Sequence, residues 1–431
     1  MSIIGYFGFL ALLVLVALGV PIGLSLFMVG LAGLSIVGNF NTAMTQSTIA
    51  FWSEGTKFVL VSLPFYILMG NLIYHMGIAR RLFTAASYWL GWLPGGLGVA
   101  AVFATAGFSA ISGSSTASAR TMGAIVVPEM RRHGYHMRLA TGLMSSAGTL
   151  GMLIPPSIVL IFYGLMTETS IGKLFIAGII PGLLVALIFS VFVVVMALLN
   201  PRQAGEVIDV STVPWKDRFL SLFSVLPVLL IFGVIFGGLY FGIFTPTEGA
   251  IIGVVTVLVY AAATRSLSIA AVKDSLADAS LITVMLFLII VGGTLFTRFL
   301  AQTGFITSLS GVIASLDLSY VQFIIIITIM YLILGCLLDT FGMLILTVPV
   351  LFPIALQLGI DPVWFGLYVV LVAEIGLVTP PVGVNVFVIK TVARDVPLGE
   401  IFRGSIPFII AMLLFVVLIT AFPEIVLYLV R

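Results

Sequence analysis

Apolar runs about 20 residues long recur along the whole chain, separated by short polar segments, and a helix needs about 20 apolar residues to cross a bilayer. The pattern predicts about ten spanning helices, at residues 3–18, 21–37, 57–76, 139–165, 174–199, 219–243, 247–263, 277–297, 364–390 and 404–430. Hydrophobic residues make up 61% of the chain and charged residues only 8%, which excludes a water-soluble protein. We therefore expect an all-α polytopic membrane protein, with the lipid bilayer as its surroundings.

Two further apolar segments, residues 97–128 and 319–356, are each long enough for two short helices but are interrupted at mid-length. The first is interrupted by "SGSST" at residues 112–116, and the second by "LLDTFG" at residues 337–342. Small and polar residues of this kind disfavour a continuous helix. We predict that each segment forms a hairpin of two short helices.

The distribution of basic residues predicts how these hairpins enter the membrane, because short cytoplasmic loops collect Lys and Arg. If the N-terminus lies outside, the inner side holds thirteen of the eighteen basic residues: Arg80, Arg81, Arg131, Arg132, Arg138, Arg202, Lys216, Arg218, Arg265, Lys273, Lys390, Arg394 and Arg403. This assignment requires that 97–128 enters and leaves on the inner side. We predict re-entrant hairpins, 97–128 from the inner face and 319–356 from the outer face, and a periplasmic N-terminus.

Several glycines and prolines of the first half of the chain recur in the second half, each the same number of residues later. The pairs are Pro21 with Pro246, Pro128 with Pro353, Gly134 with Gly359, Gly151 with Gly376, and Pro155-Pro156 with Pro380-Pro381. We predict a first repeat at 1–199, a polar cytoplasmic connector at 200–218 and a second repeat at 219–431. Each repeat holds about five spans and one hairpin, and an odd number of spans gives the two copies inverted topologies, an arrangement typical of secondary transporters.

The paired prolines break the predicted helices 139–165 and 364–390 and release backbone carbonyls, which need a partner at membrane depth. Hard cations prefer oxygen ligands, so we predict two Na⁺ sites where a hairpin tip faces a broken helix. The first set of candidates is Ser112, Ser114, Ser115, Thr116, Gly148, Gly151 and Pro155; the second is Asp339, Thr340, Gly342, Gly376, Thr379, Pro380 and Gly383. Alternatively, the prolines only kink helices and the small residues only allow close packing.

Several polar side chains in this apolar background are candidates for substrate contact, because ionisable groups within a membrane are costly and usually face a partner or a cavity. The candidates are Ser112, Arg120, Ser157, Arg298 and Asn385. Alternative roles remain open. Arg298 could reach the membrane interface, Arg120 could pair with Glu129, and Asp339 could cap a helix instead of binding sodium.

Other functional classes have little support in the sequence. A net charge of +2 with scattered basic residues argues against nucleic-acid binding. The single cysteine, Cys336, is expected to be a buried apolar residue, and the three histidines lack the spacing of a zinc site. An intramembrane enzyme would need a catalytic pair at bilayer depth in adjacent spans, but Asp339 has no second aspartate of this kind. An ion channel is the other alternative, although a channel does not require two proline-broken helices. We expect no enzymatic activity and no organic cofactor.

Short motifs in a fixed order run through the whole chain: "GVPIG", "SGSS", "IPPS", "GKLFIAGIIPG", "FTPTEGA", "GIDPVWFG", "TPPVG" and "FRGSIPF". In this order and spacing they resemble the large membrane subunit of a tripartite ATP-independent periplasmic (TRAP) transporter. Several members of that family carry an acidic residue after the "SGS" tip, where this chain has Ser118 followed by Arg120. A family carboxylate role therefore cannot be transferred to that position.

The resemblance implies an elevator-type secondary transporter of the bacterial inner membrane. Such a transporter uses sodium to import organic acids such as C4-dicarboxylates or sialic acid. It also implies two partners, a small four-helix membrane subunit and a soluble periplasmic protein that captures and delivers the substrate. Both hairpins and both broken helices would form the mobile block that carries the substrate past a fixed scaffold.

Overall fold

The computed structural model describes residues 2–207, 209–223, 225–315, 319–335 and 338–431. These residues form α-helices joined by short turns, and no β-strand occurs among them. Cys336 and Leu337, for which the sequence suggests a buried residue and the start of a hairpin break, lie outside the described residues. The prediction of an all-helical chain is confirmed.

Twenty-two α-helices follow one another in the described residues. They are α1 (Ser2–Ala17), α2 (Ile22–Val37), α3 (Phe40–Gly55), α4 (Ser62–His75), α5 (Ile78–Leu90), α6 (Gly96–Ser112), α7 (Ser115–Arg132), α8 (Met137–Ala147), α9 (Leu150–Leu153), α10 (Ile158–Thr167), α11 (Ile171–Leu199), α12 (Trp215–Leu222), α13 (Leu226–Tyr240), α14 (Pro246–Thr264), α15 (Ile269–Gln302), α16 (Phe305–Ser315), α17 (Tyr320–Leu334), α18 (Thr340–Gln357), α19 (Pro362–Gly376), α20 (Val384–Val392), α21 (Leu398–Ala421) and α22 (Glu424–Leu427). Short 3-10 turns lie at Phe58–Val61, Pro201–Gln203 and Val210–Thr212.

Seven helical segments in the described part of the chain are long and apolar enough to cross a membrane, or eight if the bent pair Met137–Leu153 and Ile158–Thr167 counts as one span. The sequence predicts about ten. Three of the predicted spans are absent from this count because α1, α2 and α19 are apolar but have fewer than 18 residues, whereas Thr340–Gln357, predicted as part of a hairpin, is long enough to be counted. The three shorter helices reach about 25 Å at 1.5 Å per residue, close to but below the thickness of the hydrocarbon core.

Several predicted boundaries are wrong. The helix predicted at 277–297 extends over 34 residues as α15, the span predicted at 219–243 is divided into α12 and α13, and the span predicted at 404–430 ends at Ala421. Helices α3, α5 and α16 have no counterpart among the predicted spans. In α5 the buried side chains include Ile78 and Leu82 while Arg81 is exposed, so this helix has two different faces. A search for uniformly apolar runs does not detect such an amphipathic helix.

The segments predicted as hairpins and as broken helices are interrupted helices in the structure, while re-entry of the two hairpins into the membrane stays a prediction. Helices α6 and α7 are joined at Gly113, which adopts a left-handed conformation with φ of 62°. Helix α18 begins at Thr340, shortly after α17 passes into Gly335. The first broken helix consists of α8, α9 and α10, with a bend of 44°, and the second consists of α19 and α20. Each break contains a cis Pro-Pro bond.

Helix bounds repeat at the same constant offset as the glycines and prolines. Helix α7 spans residues 115–132 and α18 spans residues 340–357, and α8 and α19 begin at residues 137 and 362. Gly134 and Gly359, which the same offset relates, both have a φ of 74°. The inverted orientation of the two repeats and the domain boundaries stay predictions, as does the side of the membrane on which each loop lies.

Helices from the two halves pack closely where α8 meets α21. Gly142 and Gly404 bring the two backbones together, since a Cβ on either glycine would overlap the main chain of the other helix. Next to this crossing, the Ser145 and Ser405 hydroxyls are 2.7 Å apart, and Arg138 Nε donates to Glu400 Oε2 at 2.7 Å. Small residues at a helix crossing are typical of packing in membranes.

Replacing Gly404 with alanine tests this crossing. The added Cβ would overlap the Arg138 carbonyl group, and overpacking of this kind costs about 1–3 kcal/mol. We expect G404A to lower the midpoint of thermal unfolding of the purified protein. The matched control is G399A in the same helix, where a Cβ meets nothing within 4 Å and where alanine stabilises a helix by about 0.4–1 kcal/mol. A G404A protein as stable as G399A would contradict the close crossing.

Candidate functional site

The tip of the first hairpin lies directly against the first helix break. The Ile158 backbone N–H, at the start of α10, donates to the Gly113 carbonyl at 3.4 Å. A Cβ at Gly113 would lie 2.7 Å from the Pro156 carbonyl oxygen. The left-handed turn at Gly113 therefore brings the hairpin backbone to the chain segment that the prolines interrupt.

Two glycines of the broken helix form a cradle for the same tip. A Cβ at Gly151 would lie 2.6 Å from the Ser114 carbonyl carbon and 2.9 Å from the Ser115 nitrogen. A Cβ at Gly148 would lie 3.0 Å from the Ser115 carbonyl oxygen. The structure thus brings the tip residues and these glycines of the first predicted sodium site together. The ring of Pro155 packs instead towards Gly178 of α11, although its backbone belongs to the break.

Hydroxyl groups fill the interior of the first hairpin. The Ser112 and Ser118 hydroxyls are 2.7 Å apart, and Ser109 donates to Ser118 at 3.3 Å. Ser114 caps α7 by accepting from the Ala117 N–H, and its hydroxyl is 3.3 Å from that of Thr116. Ser118 is therefore part of a neutral hydroxyl network. This side chain is fully buried.

The second break repeats the arrangement with different residues. A Cβ at Gly376 would lie 2.9 Å from Gly335 Cα and 3.0 Å from the Tyr331 carbonyl oxygen, so α19 touches the end of α17. Asp339 caps α18, because its Oδ1 accepts from the Gly342 N–H at 2.8 Å. Capping, one of the two roles suggested by the sequence for Asp339, is thus observed.

The chain after Gly376 turns back into α20 through a short loop. Thr379 Oγ1 donates to the Ile375 carbonyl of its own helix at 2.7 Å, and Gly383 adopts a left-handed conformation with φ of 59°. This loop is more open than its counterpart. Residues 381–382 are exposed, whereas residues 155–157 are buried. The two breaks are therefore not equivalent in this conformation.

Glu374 is a candidate that the sequence reasoning did not include among its site residues. Only 1% of it is exposed, and Thr340 Oγ1 donates to its Oε1 at 3.1 Å. Ser115, at the tip of the first hairpin, is close enough to the carboxyl to interact with it. Ser115 of the first predicted sodium site and Thr340 of the second thus approach the same carboxyl group. The signal for it was present, since a lone carboxylate stands in an apolar run shortly before Pro380.

Several buried polar atoms around the two breaks have no hydrogen-bond partner in the described residues. They are Ser115 Oγ, Ser146 Oγ, Glu374 Oε2, and Asn385 Oδ1 and Nδ2. Leaving such a group unpaired costs about 1–3 kcal/mol, so each of these atoms is suited to a further bond. The oxygens suit a hard cation such as Na⁺, and the Asn385 amide N–H suits an acceptor such as a carboxylate.

A cavity of about 290 Å³ lies apart from these clusters, between the start of α4, the end of α10, α15 and α18. Its charged lining residues are Glu54, Lys57, Glu168 and Arg298. Lys57 pairs with Glu54 at 2.8 Å, whereas Arg298 Nη1 donates to Gln46 Oε1 at 2.8 Å and has no acidic partner in the described chain. Arg298 thus offers this cavity a guanidinium bonded only to neutral groups, while Glu168 adds a negative charge to the same lining.

The five predicted substrate residues lie on different elements of the structure. Ser112 and Ser157 lie at the first hairpin tip and break, where Ser157 caps α10, while Asn385 lies in the first turn of α20. Arg298 lines the separate cavity. Arg120 is exposed on α7, and the suggested pairing with Glu129 is not formed, since Glu129 pairs with Arg132 at 3.3 Å.

Comparison with known proteins identifies relatives over nearly the whole chain. The family model for the tripartite ATP-independent periplasmic transporter, DctM component, matches residues 9–425. The C4-dicarboxylate TRAP transporter large permease protein DctM of Pseudomonas aeruginosa is 37% identical, and the match covers 92% of each chain. The sialic acid TRAP transporter large permease protein SiaM of Vibrio cholerae is 31% identical, and the match covers 97% of this chain and 96% of that protein.

A solved structure supports the fold independently. The crystal structure of the Alcanivorax borkumensis YdaH transporter matches with a TM-score of 0.62 at 15% identity, covering 90% of this chain and 89% of that one. At this identity the likeness concerns the fold alone. Taken with the family match and the sequence relatives, the interrupted helices and apolar spans are those of a multi-pass membrane protein that belongs to the DctM component family of tripartite ATP-independent periplasmic transporters.

Proposed function

We propose that this chain imports a carboxylate-bearing organic anion, of the sialic acid or C4-dicarboxylate type, across the bacterial inner membrane by coupling its movement to Na⁺. The observation that carries the proposal is the pair of hairpin ends packed against proline-broken helices. Gly151 approaches Ser114 at the first, and Gly376 approaches Gly335 at the second. Each arrangement puts backbone carbonyls and hydroxyl oxygens next to an interrupted helix, which is the environment that a hard cation requires.

Sodium supplies the driving force in this proposal. One unit charge that moves inward across 100 mV releases about 2.3 kcal/mol. The first site uses the tip hydroxyls and the backbone around Gly151, and the second uses the corresponding backbone around Gly376 and Thr379. Uncharged ligands bind Na⁺ reversibly, because such a site has no net negative charge that would strengthen its hold on the ion.

Arg298, which has no acidic partner in the described chain, supports an anionic substrate. Its guanidinium presents several donors in a plane that matches a carboxylate. The names of the relatives point the same way, since dicarboxylates and sialic acid both carry carboxylates. In our proposal the substrate first meets Arg298 and then the buried amide of Asn385 and the hydroxyls of Ser112 and Ser157, as the mobile block closes around it.

Two partners complete the proposed transporter, a periplasmic binding protein that delivers the substrate and a small four-helix membrane subunit. The hairpins and broken helices move together as an elevator against a scaffold that includes α2, α4 and α15. The extensive packing of α15 along α2 and α4 supports a rigid scaffold. The close crossing of α8 and α21 supports a block that moves as one body.

The first test replaces Na⁺ in a reconstituted system. Proteoliposomes that contain this chain and the small subunit, supplied with the binding protein and labelled substrate, should accumulate substrate only with an inward Na⁺ gradient. We expect uptake to fall at least tenfold when K⁺ or choline replaces Na⁺, because the gradient is the energy source. Omission of the binding protein serves as the second control. Equal uptake in sodium-free buffer would rule out sodium coupling.

The second test fills the cradle at the first break. In G151A the new Cβ would lie 2.6 Å from the Ser114 carbonyl carbon, which forces the hairpin tip away from the broken helix. We expect Na⁺-dependent uptake to drop at least tenfold while the protein still inserts and purifies normally. The matched control is G107A in α6, where a Cβ makes only an ordinary contact with Leu82 at 3.7 Å. Wild-type uptake by G151A would remove this contact from the site.

The third test concerns the cavity. In R298Q the loss of a charge-assisted hydrogen bond, about 1.5–3 kcal/mol, should raise the KM for substrate by about tenfold to a hundredfold. R265Q is the matched control, since Arg265 is exposed and follows the end of α14. A KM that is the same in R298Q and the wild type would show that Arg298 only holds Gln46, and the substrate role would be withdrawn.

A further inference from the structure

Glu374 stands where three interrupted elements meet. It belongs to α19, and its Oε1 accepts from Thr340, the first residue of α18, at 3.1 Å. Ser115, which interacts with the same carboxyl, is the first residue of α7. The carboxyl is therefore in reach of both hairpins, one from each half of the chain.

This carboxylate has no cationic partner. Among the residues that the structure describes, no Lys, Arg or His forms an ion pair with Glu374, and only 1% of the residue is exposed. A buried carboxylate without a basic partner is costly unless it binds a proton or a cation balances its charge.

The polar atoms around Glu374 are arranged for a ligand and do not satisfy one another. Glu374 Oε2 and Ser115 Oγ are both buried, and neither has a hydrogen-bond partner in the described chain, although the two side chains are neighbours. The backbone N–H groups at the two helix starts are also directed elsewhere: Ser114 caps α7 and Asp339 caps α18. Glu374 Oε2 and Ser115 Oγ, together with Thr340 Oγ1, offer a partial oxygen shell for a small cation.

We propose that Glu374, Thr340 and Ser115 hold one Na⁺ ion at a third site, which takes its charged ligand from Glu374 and borders the two sites at the helix breaks through Ser115 and Thr340. The proposal rests on the sodium coupling proposed above and adds a charged ligand to it. Because the three ligands come from α19, α18 and α7, an ion bound there ties both hairpins to one broken helix. It also balances the carboxylate, so the loaded block can cross the membrane with less charge exposed to lipid than the empty block.

This arrangement explains how leak could be limited. Without the ion, the mobile block would carry an uncompensated carboxylate through a low-dielectric environment, which is strongly unfavourable. With the ion, the charge is balanced and the two hairpins are held together. Glu374 would then act as a positioning and charge-balancing residue for coupling, without a direct contact to the organic substrate.

The experiment measures sodium binding directly. The purified full-length protein and its E374Q variant are titrated with ²²Na⁺ at constant ionic strength set by choline chloride. Glutamine keeps the shape and can still accept from Thr340, but it carries no charge. We expect E374Q to bind one Na⁺ fewer per chain than the wild type. A second signature is stability: E374Q should unfold at a higher temperature than the wild type in sodium-free buffer and should gain less from added Na⁺.

A matched control is E400Q, because Glu400 already pairs with Arg138 at 2.7 Å and Arg403 at 3.3 Å. It should bind as many Na⁺ ions as the wild type. T340V provides a second route if E374Q does not fold: it removes the hydroxyl that donates to Glu374 Oε1 and should weaken the affinity of one Na⁺ site at least tenfold.

The outcomes separate the two proposals. Equal Na⁺ binding by E374Q and the wild type would overturn the third site and leave sodium coupling in place. Absence of Na⁺ binding by the wild type would overturn both. A loss of one ion in E374Q, with E400Q unchanged, would support the third site.

Discussion

A backbone polar group inside a membrane must find its partner within the protein, and this constraint shapes both interrupted helices. Prolines at positions 155–156 and 380–381 leave gaps in the helical hydrogen-bond ladder, which lipid cannot fill. The first gap is covered by a hairpin tip, as the bond from Ile158 to Gly113 shows, and the second is approached by the end of α17. Each break is thus tolerated because a hairpin accompanies it, and the same pairing gathers oxygen atoms into one place.

The polar groups at these junctions differ between the two halves. Serine hydroxyls dominate the first junction, and they bond largely to one another. Carboxylates enter at the second, where Asp339 satisfies a helix terminus and Glu374 remains partly unsatisfied. The first junction is thus lined by neutral hydroxyl groups and the second by carboxyl groups. Ser115 from the first junction lies next to Glu374 from the second, so the two halves together form one polar environment.

Much of the fold follows from simple sequence rules. The hairpins, the broken helices and their constant spacing were all accessible, because glycine and proline act locally and leave the same trace in each half. The amphipathic helix α5 and helix α3, which contains many polar residues, were missed, because neither is a uniformly apolar run. Glu374 was not predicted as a site residue. Its importance depends on side chains from α7 and α18, and contacts between residues so far apart in the chain are not encoded in local pattern.

The long helix α15 gives the two halves different mechanical properties. The offset that relates Pro155-Pro156 to Pro380-Pro381 also relates α15, which has 34 residues, to the segment that forms α3 and α4. In that segment the helix is interrupted at Thr56, Lys57 and a 3-10 turn. As a continuous helix, α15 is about 51 Å long and resists bending along all of it. The counterpart consists of two helices with a joint between them. The same stretch is therefore continuous in one half and divided in the other, and only the divided copy has a point at which its parts can change their relative angle without breaking a helical hydrogen-bond ladder.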